Sequence, residues 1–120
     1  MTFTLLQVAL GGAIGASLRF LLGMALLRDG FPVAILSVNV LGSFLMGVAV
    51  VLVSRHAPGL GPFVMAGLLG GFTTFSAFSL ETVTLLERGQ VGQAAAYVGL
   101  SVGLSIAALA LAVMMTRWVA

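Results

Sequence analysis

The 120-residue sequence contains no cysteine and very little charge. Charged residues make up 7% of it, far below the roughly one quarter of an ordinary soluble domain, so a soluble globular protein is excluded. Without cysteine there is no disulfide framework and no thiolate ligand or nucleophile, and the single His56 cannot form a histidine cluster. Hydrophobic residues make up 61% and the mean hydropathy is +1.25, which indicates an integral membrane protein in a lipid bilayer.

The few charged and catalytic side chains exclude further classes of function. Five basic residues against three acidic ones give a net charge of +2, too small an excess for a nucleic-acid-binding face. The sequence also lacks a metal-ligand cluster, a Ser-His-Asp set with a usable histidine, and a phosphate-binding glycine loop. We therefore expect neither an enzyme nor a nucleic-acid-binding protein.

Four long stretches without charge predict four transmembrane helices, because about 20 apolar residues cross a bilayer core. The predicted spans lie near residues 3–27, 32–54, 61–86 and 91–117, in a single transmembrane domain over 1–120. Short segments with turn-forming glycine and proline separate them and leave no room for a second domain. The predicted fold class is an all-α membrane protein.

The loop arginines give no orientation signal. With four spans, Arg55 and Arg117 lie on one side of the membrane, and Arg28 and Arg88 lie on the other. The positive-inside rule needs an excess on one side, and here the count is equal. We hypothesise that the chain inserts in both orientations and that copies pair as an antiparallel homodimer around an in-plane two-fold axis. In the alternative, Arg19 or the amino terminus selects one orientation.

Small residues four positions apart predict close helix packing. The pairs are Gly11 with Gly15, Ser43 with Gly47, and Gly99 with Gly103. Small residues at this spacing let helix backbones approach each other within a membrane. Such patterns are frequent in membrane helices, so we assign these pairs packing and no chemistry.

The third span contains adjacent glycines, Gly70 and Gly71, directly before hydroxyl residues in mid-membrane. Because glycine tolerates non-helical φ, we expect a helix break here, which is tolerated in a membrane where it is buried or lines a cavity. Carbonyls freed by a break can coordinate Na⁺, and two antiparallel copies would each supply half a site. The alternative, which the residues alone favour, is a packing or kink glycine pair.

The aromatic residues after this break form a second pattern. Phe75 and Phe78 share a helix face, with Ser79 and Glu81 one turn further on. The edge of a phenyl ring is positive, so rings lining a pathway attract a small anion weakly, and weak attraction suits conduction. In the alternative, the rings face lipid or fill the core.

Polar residues stand out in the other spans as well. An intramembrane amide such as Asn39 either hydrogen-bonds to a neighbouring helix or donates to a ligand. Tyr97, Ser101 and Ser105 form a hydroxyl stripe along the fourth span, suited to a partly dehydrated anion, although serine often bonds only its own helix backbone. Arg19 either draws anions into an aqueous vestibule or snorkels to the interface.

Together these residues resemble the small bacterial and archaeal fluoride channels called Fluc or CrcB, over essentially the whole chain. The resemblance is carried by Gly11-Gly12-Ala13-Ile14-Gly15-Ala16 with Arg19, by Asn39-Val40-Leu41-Gly42-Ser43, and by Gly70-Gly71-Phe72-Thr73-Thr74-Phe75-Ser76-Ala77-Phe78-Ser79 with Glu81. It implies a dual-topology homodimer in the prokaryotic inner membrane. Its two antiparallel pores would pass fluoride passively, reject chloride and confer fluoride resistance.

The resemblance also implies roles for single residues. Those of the fluoride pore are Phe75, Phe78, Asn39, Thr74, Ser79, Glu81, Tyr97, Ser101 and Ser105, with Arg19 at the vestibule. The carbonyls of Gly70 and Thr73 are the implied ligands of a structural Na⁺ at the dimer centre. Two alternatives differ in class: a small proton-coupled multidrug exporter, for which Glu81 is the only intramembrane carboxylate, and a structural subunit without transport.

Overall fold

A computed structural model describes all 120 residues and is entirely helical. The elements are α1 (Thr2–Ala25), α2 (Val33–His56), a 3₁₀ turn (Pro58–Leu60), a π-helical segment (Pro62–Leu69), α3 (Gly70–Phe72), α4 (Ser76–Glu87) and α5 (Val91–Val119). Four helical stretches are long and apolar enough to cross a membrane: Thr2–Ala25, Val33–His56, Pro58–Glu87 and Val91–Val119. The prediction of four apolar helices is confirmed. Pro58–Glu87 is called the third span below.

The first glycine pair packs α1 against the third span. A Cβ atom added to Gly11 would overlap the carbonyl oxygen of Phe63, and one added to Gly15 would overlap that of Leu68. A Cβ on Gly71 would lie 2.8 Å from the carbonyl oxygen of Gly12. The predicted packing role of Gly11 and Gly15 is therefore confirmed, since the two backbones touch without intervening side chains.

The other two pairs behave differently from each other. Gly47 lets α2 approach α5, because a Cβ there would lie 2.5 Å from the carbonyl oxygen of Leu109 and 2.7 Å from the Cβ of Ala112. Gly99 and Gly103 have no neighbour within 4 Å of such a Cβ. Their expected seam is therefore not formed within the chain, and this face of α5 is bare.

The third span is broken, as predicted, but the break follows the glycine pair. Gly70 is helical, with φ −63° and ψ −37°, whereas Thr73 is extended, with φ −87° and ψ 158°. The only residues with positive φ are Gly30 and Gly89, in the connections before α2 and before α5. The expectation that glycine φ makes the break is therefore wrong. Gly71 is needed for close packing against α1, and an extended threonine interrupts the helix.

The chain buries little of its own surface, as expected for four helices facing lipid or another subunit. Only 17 of the 120 residues are buried. A small cluster of Phe78, Leu85, Ala94 and Tyr97 joins α4 to α5, with Phe31, Ile35 and Leu36 packed against it. This cluster fixes the position of α4, the half of the third span that follows the break.

Candidate functional site

A groove of about 610 Å³, lined by both apolar and polar residues, lies where the break in the third span faces α2 and α5. It brings together seven of the residues singled out in the sequence: Asn39, Gly70, Thr73, Thr74, Phe75, Ser101 and Ser105. These residues come from three spans, so their proximity arises only in the folded chain. Five others, Arg19, Phe78, Ser79, Glu81 and Tyr97, do not line the groove.

The side chain of Asn39 holds the break from α2. Its Nδ2 donates to the carbonyl oxygen of Thr74 at 2.9 Å, and its Oδ1 accepts the backbone N–H of Thr74 at 2.8 Å. The backbone N–H and carbonyl of Thr74 are thus both satisfied by a side chain 35 positions earlier in the sequence. The Asn39 amide keeps a second N–H, since a primary amide has two donor hydrogens.

The threonine hydroxyls satisfy backbone groups on either side of the break. Oγ1 of Thr74 accepts the backbone N–H of Ala77 at 3.1 Å and lies 3.2 Å from Oγ of Ser76, in the manner of a helix cap at the start of α4. Oγ1 of Thr73 donates to the carbonyl oxygen of Leu69 at 3.0 Å. The unwound turn is therefore a defined structure with named partners.

Three backbone carbonyls at the break accept no hydrogen bond: those of Gly70, Phe72 and Thr73. The carbonyls of Leu69, Gly71 and Thr74 are satisfied by donors within the chain. Backbone carbonyls freed from a helix are the ligand type that holds Na⁺ in membrane proteins. Gly70 and Thr73, the two residues implied by resemblance to supply cation ligands, thus carry unsatisfied oxygens suited to such an ion.

Arg19 satisfies one carbonyl of the short helix before the break. Its Nε donates to the carbonyl oxygen of Gly71 at 3.2 Å, and the side chain is partly buried. A cation at the carboxyl end of a helix interacts favourably with the helix dipole and with its unpaired carbonyls. The arginine therefore binds protein backbone, and it lies beside the groove without lining it.

Aromatic rings form a column that leads away from the groove. The ring centroids of Phe75 and Phe78 are 5.3 Å apart, those of Phe78 and Tyr97 are 5.2 Å apart, and Tyr97 meets Phe31 edge to face at 5.7 Å. Phe75 is 76% exposed and lines the groove, whereas Phe78 is 8% exposed and lies in the core. The two phenylalanines touch, yet their environments differ sharply.

The hydroxyl groups fall into two classes. Ser79 donates to the carbonyl oxygen of Phe75 at 3.0 Å, the internal bond that serine commonly makes within a helix. Oγ of Ser101 and Oη of Tyr97 are buried and have no hydrogen-bond partner. A buried unsatisfied hydroxyl costs about 1–3 kcal/mol, so these two atoms require a partner such as water or an ion. Ser105 lines the groove one turn beyond Ser101.

Glu81 lies away from the groove, in a separate pocket of about 200 Å³. Arg28, Asp29 and Arg88 line the same pocket, at the end of the third span. The carboxylate thus shares this pocket with charged residues of the connecting segments.

Phe31 belongs to this arrangement but was not singled out in the sequence. It precedes Pro32 in the first connection, and its ring packs on Tyr97. An aromatic residue in a short connection carries no periodicity, so only its position before the second span could have indicated it.

Comparison with known proteins places the chain in a family. Residues 6–113 match the family model described as CrcB-like protein, Camphor Resistance (CrcB). The chain is 64% identical over 124 residues to the Fluoride-specific ion channel FluC of Ruegeria sp. (strain TM1040), which covers 99% of this chain and 98% of that protein. It is 59% identical over 123 residues to the protein of the same name from Roseobacter denitrificans, covering 98% and 94%.

A third relative, from Cereibacter sphaeroides and also named Fluoride-specific ion channel FluC, is 62% identical over 112 residues, covering 91% of this chain and 90% of that protein. The matched residues include most of each of the four apolar helices and the break between α3 and α4. The chain therefore belongs to the CrcB-like family.

Proposed function

We propose that the protein is a fluoride-selective ion channel that passively exports cytoplasmic fluoride and confers fluoride resistance. The observation that carries the proposal is the groove in which an amide, a phenyl ring and three serines meet, in a chain whose close relatives carry the name of a fluoride channel. With four apolar helices and bacterial relatives, the chain is a multi-pass protein of the bacterial inner membrane. Its activity is conduction, and it is not an enzyme.

Within the groove, fluoride is bound by weak donors. Asn39 offers its second N–H, Ser101 and Ser105 offer hydroxyl hydrogens, and Phe75 offers the positive edge of its ring. The hydroxyl of Thr74 lies at the same end, where it also caps α4. Several weak donors suit conduction because the ion must also be able to leave. Chloride is larger than fluoride, so its charge is more diffuse and it interacts less strongly with these hydrogen-bond donors.

Beyond the groove, the pathway follows the aromatic column. Phe78 continues from Phe75, and the unpartnered Oη of Tyr97 supplies the next donor. Ser79 and Glu81 line the rest of the proposed pathway on this side of the break. Arg28 and Arg88 offset the negative charge of Glu81 where an anion passes it. On the other side of the break, Arg19 attracts anions toward the vestibule while it holds the backbone of α3.

This charge pattern disfavours the alternative of a proton-coupled cation exporter. Such an exporter requires a membrane carboxylate that a cationic substrate can approach. The one such carboxylate, Glu81, shares its pocket with Arg28, Asp29 and Arg88, so the two arginines offset both acidic charges and no net negative charge remains to attract a cationic substrate.

The functional unit in this proposal is an antiparallel, dual-topology homodimer. The groove is open on one side of the protomer, Phe75 is 76% exposed beside it, and the Gly99 face of α5 is bare. A second copy would close the groove and cover these residues. The equal distribution of loop arginines allows the opposite orientations that an antiparallel dimer requires.

We further propose a structural Na⁺ at the dimer centre, held by the carbonyls of Gly70 and Thr73 from both copies. Support comes from the absence of any hydrogen-bond donor on these two oxygens. Gly70 is also exposed on the protomer, as an interface ligand must be. When bound, Na⁺ would supply a fixed positive charge that interacts favourably with the carbonyl dipoles of Gly70 and Thr73 and would link the two subunits.

The transport proposal is tested by fluoride efflux from liposomes containing the purified protein. A fluoride electrode records efflux driven by a K⁺ gradient with valinomycin, and chloride efflux from matched liposomes is the control. We expect rapid loss of fluoride with negligible loss of chloride. Absence of fluoride efflux from a verified dimer would contradict the proposal.

The dual topology has a separate test that uses the absence of cysteine. A single cysteine introduced at Ala57, in the connection before the third span, is labelled in intact cells with a membrane-impermeant maleimide. About half of the protein should react, since both orientations are inserted. Labelling of all or none of it would indicate one fixed orientation and would overturn the antiparallel dimer.

A further inference from the structure

The two carbonyls proposed to bind Na⁺ have lost their ordinary helix donors for identifiable reasons. In an uninterrupted α-helix, each backbone N–H donates to the carbonyl four residues earlier. The carbonyl of Gly70 would then accept the N–H of Thr74, and the carbonyl of Thr73 would accept that of Ala77. Neither bond is formed in the structure.

Both donors are instead bound by side-chain oxygens. The N–H of Thr74 donates to Oδ1 of Asn39 at 2.8 Å, and the N–H of Ala77 donates to Oγ1 of Thr74 at 3.1 Å. Asn39 makes a second bond, from Nδ2 to the carbonyl oxygen of Thr74 at 2.9 Å, which fixes the backbone of Thr74 in place. Each diverted N–H therefore corresponds to one free carbonyl.

We infer that Asn39 and Thr74 are positioning residues that free the Gly70 and Thr73 carbonyls for a cation by binding the two N–H groups that would otherwise occupy them. This inference rests on the proposed Na⁺ site and adds its cause. An apolar side chain of the same size at either position leaves the N–H without an acceptor. In the membrane interior such a group is costly, so it returns to the carbonyl four residues earlier and re-forms the helical bond.

The inference predicts which variants weaken cation binding. Asn39→Leu restores the bond from Thr74 to Gly70, and Thr74→Val restores the bond from Ala77 to Thr73. Thr74→Ser keeps the hydroxyl and should preserve binding. Thr82→Val is the matched control, because the hydroxyl of Thr82 donates to the carbonyl of Phe78 at 2.8 Å and binds no backbone N–H.

The experiment measures Na⁺ affinity without measuring transport. The full-length chain is purified in detergent without Na⁺, and the thermal unfolding midpoint is recorded as NaCl replaces choline chloride at constant ionic strength. We expect Asn39→Leu and Thr74→Val to require at least tenfold more Na⁺ for half of the maximal stabilisation. Thr74→Ser and Thr82→Val should stay within twofold of the wild type.

The outcomes separate the two proposals. If the wild type responds to Na⁺ and both apolar variants respond at the same concentration, the positioning role is wrong and the Na⁺ site stands. If the wild type itself shows no response, the Na⁺ site is wrong and the positioning role falls with it. If Asn39→Leu yields no folded protein, the comparison of Thr74→Val with Thr74→Ser decides.

Discussion

The two halves of the third span differ in how they are held, although they belong to one membrane crossing. Before the break, the π-helical segment and α3 pack backbone to backbone against α1, through glycines on both sides. After the break, α4 is held by rings and by polar side chains, with Phe78 packed on Tyr97 and Thr74 capping the first turn. The first half of the third span is therefore held by backbone contacts, and the second half is held by side-chain contacts.

This difference indicates that the two halves of the third span have different roles. Close backbone packing tolerates no added atom, so the first half fixes where the break lies relative to α1. Side-chain packing allows the chemical groups to vary while the shape is kept, so the third-span residues proposed to contact fluoride, Thr74, Phe75 and Phe78, lie at the break or after it. Substitutions before the break should therefore affect folding, and substitutions after it should affect transport.

Gly15→Leu should have the largest effect, because even a Cβ atom at this position overlaps the carbonyl oxygen of Leu68. The larger side chain must separate α1 from the third span, and overpacking of this kind costs about 1–3 kcal/mol or more. We expect no folded protein in detergent, measured by size-exclusion chromatography and circular dichroism. Gly12→Leu is the control, since a Cβ on Gly12 has no neighbour within 4 Å. Normal folding of Gly15→Leu would refute the packing account.

Phe78→Ile tests the other half. An aliphatic side chain lacks the positive ring edge, so fluoride efflux should fall at least tenfold while the dimer is retained. Phe72→Ile is a matched control, because Phe72 is 7% exposed and Phe78 is 8% exposed, on opposite sides of the break. Both variants should lower the unfolding midpoint by a similar amount, and only Phe78→Ile should lose flux. Equal losses of flux would erase the functional distinction between the halves.

Arg19→Gln should reduce fluoride efflux by an intermediate amount, since Arg19 both donates to the Gly71 carbonyl and carries a positive charge. We expect fluoride efflux to fall severalfold at low ionic strength and by less at high salt, where salt screens the lost attraction. Arg19→Lys keeps the charge and should retain most of the flux. If Arg19→Lys is as impaired as Arg19→Gln, the hydrogen bond to Gly71 matters more than the charge.

Much of this arrangement follows from sequence pattern, because apolar length and small-residue spacing are local properties. The four helices and the Gly11 and Gly15 seam were predicted on that basis and are confirmed. The exact start of the break was not predictable, since the backbone of Thr74, next to the extended Thr73, is held by an Asn39 side chain from another span. Helical periodicity identifies which residues share a face, but it does not identify the neighbour that covers the face.

The same limit explains the residues of the candidate site. Spacing predicted that Phe75 and Phe78 lie together, and their centroids are 5.3 Å apart. It could not predict that one ring is exposed and the other buried, because burial depends on how α5 packs against α4. Gly99 and Gly103 show the converse, since a spacing typical of packing has no partner within the chain.

Gly70→Ala should have the smallest effect on the fold of the chain, although the neighbouring Gly71 has little room for a side chain. A Cβ on Gly70 lies 3.4 Å from its nearest atom, and the backbone there is already helical. A Cβ on Gly71 lies 2.8 Å from the carbonyl oxygen of Gly12. Gly70→Ala should keep its helical content and shift the unfolding midpoint by only a few degrees, whereas Gly71→Ala should lower it far more. Equal destabilisation of the two variants would mean that the backbone contact with α1 does not distinguish these adjacent glycines. A dimer lost only in Gly70→Ala would place the exposed side of that residue in the subunit interface.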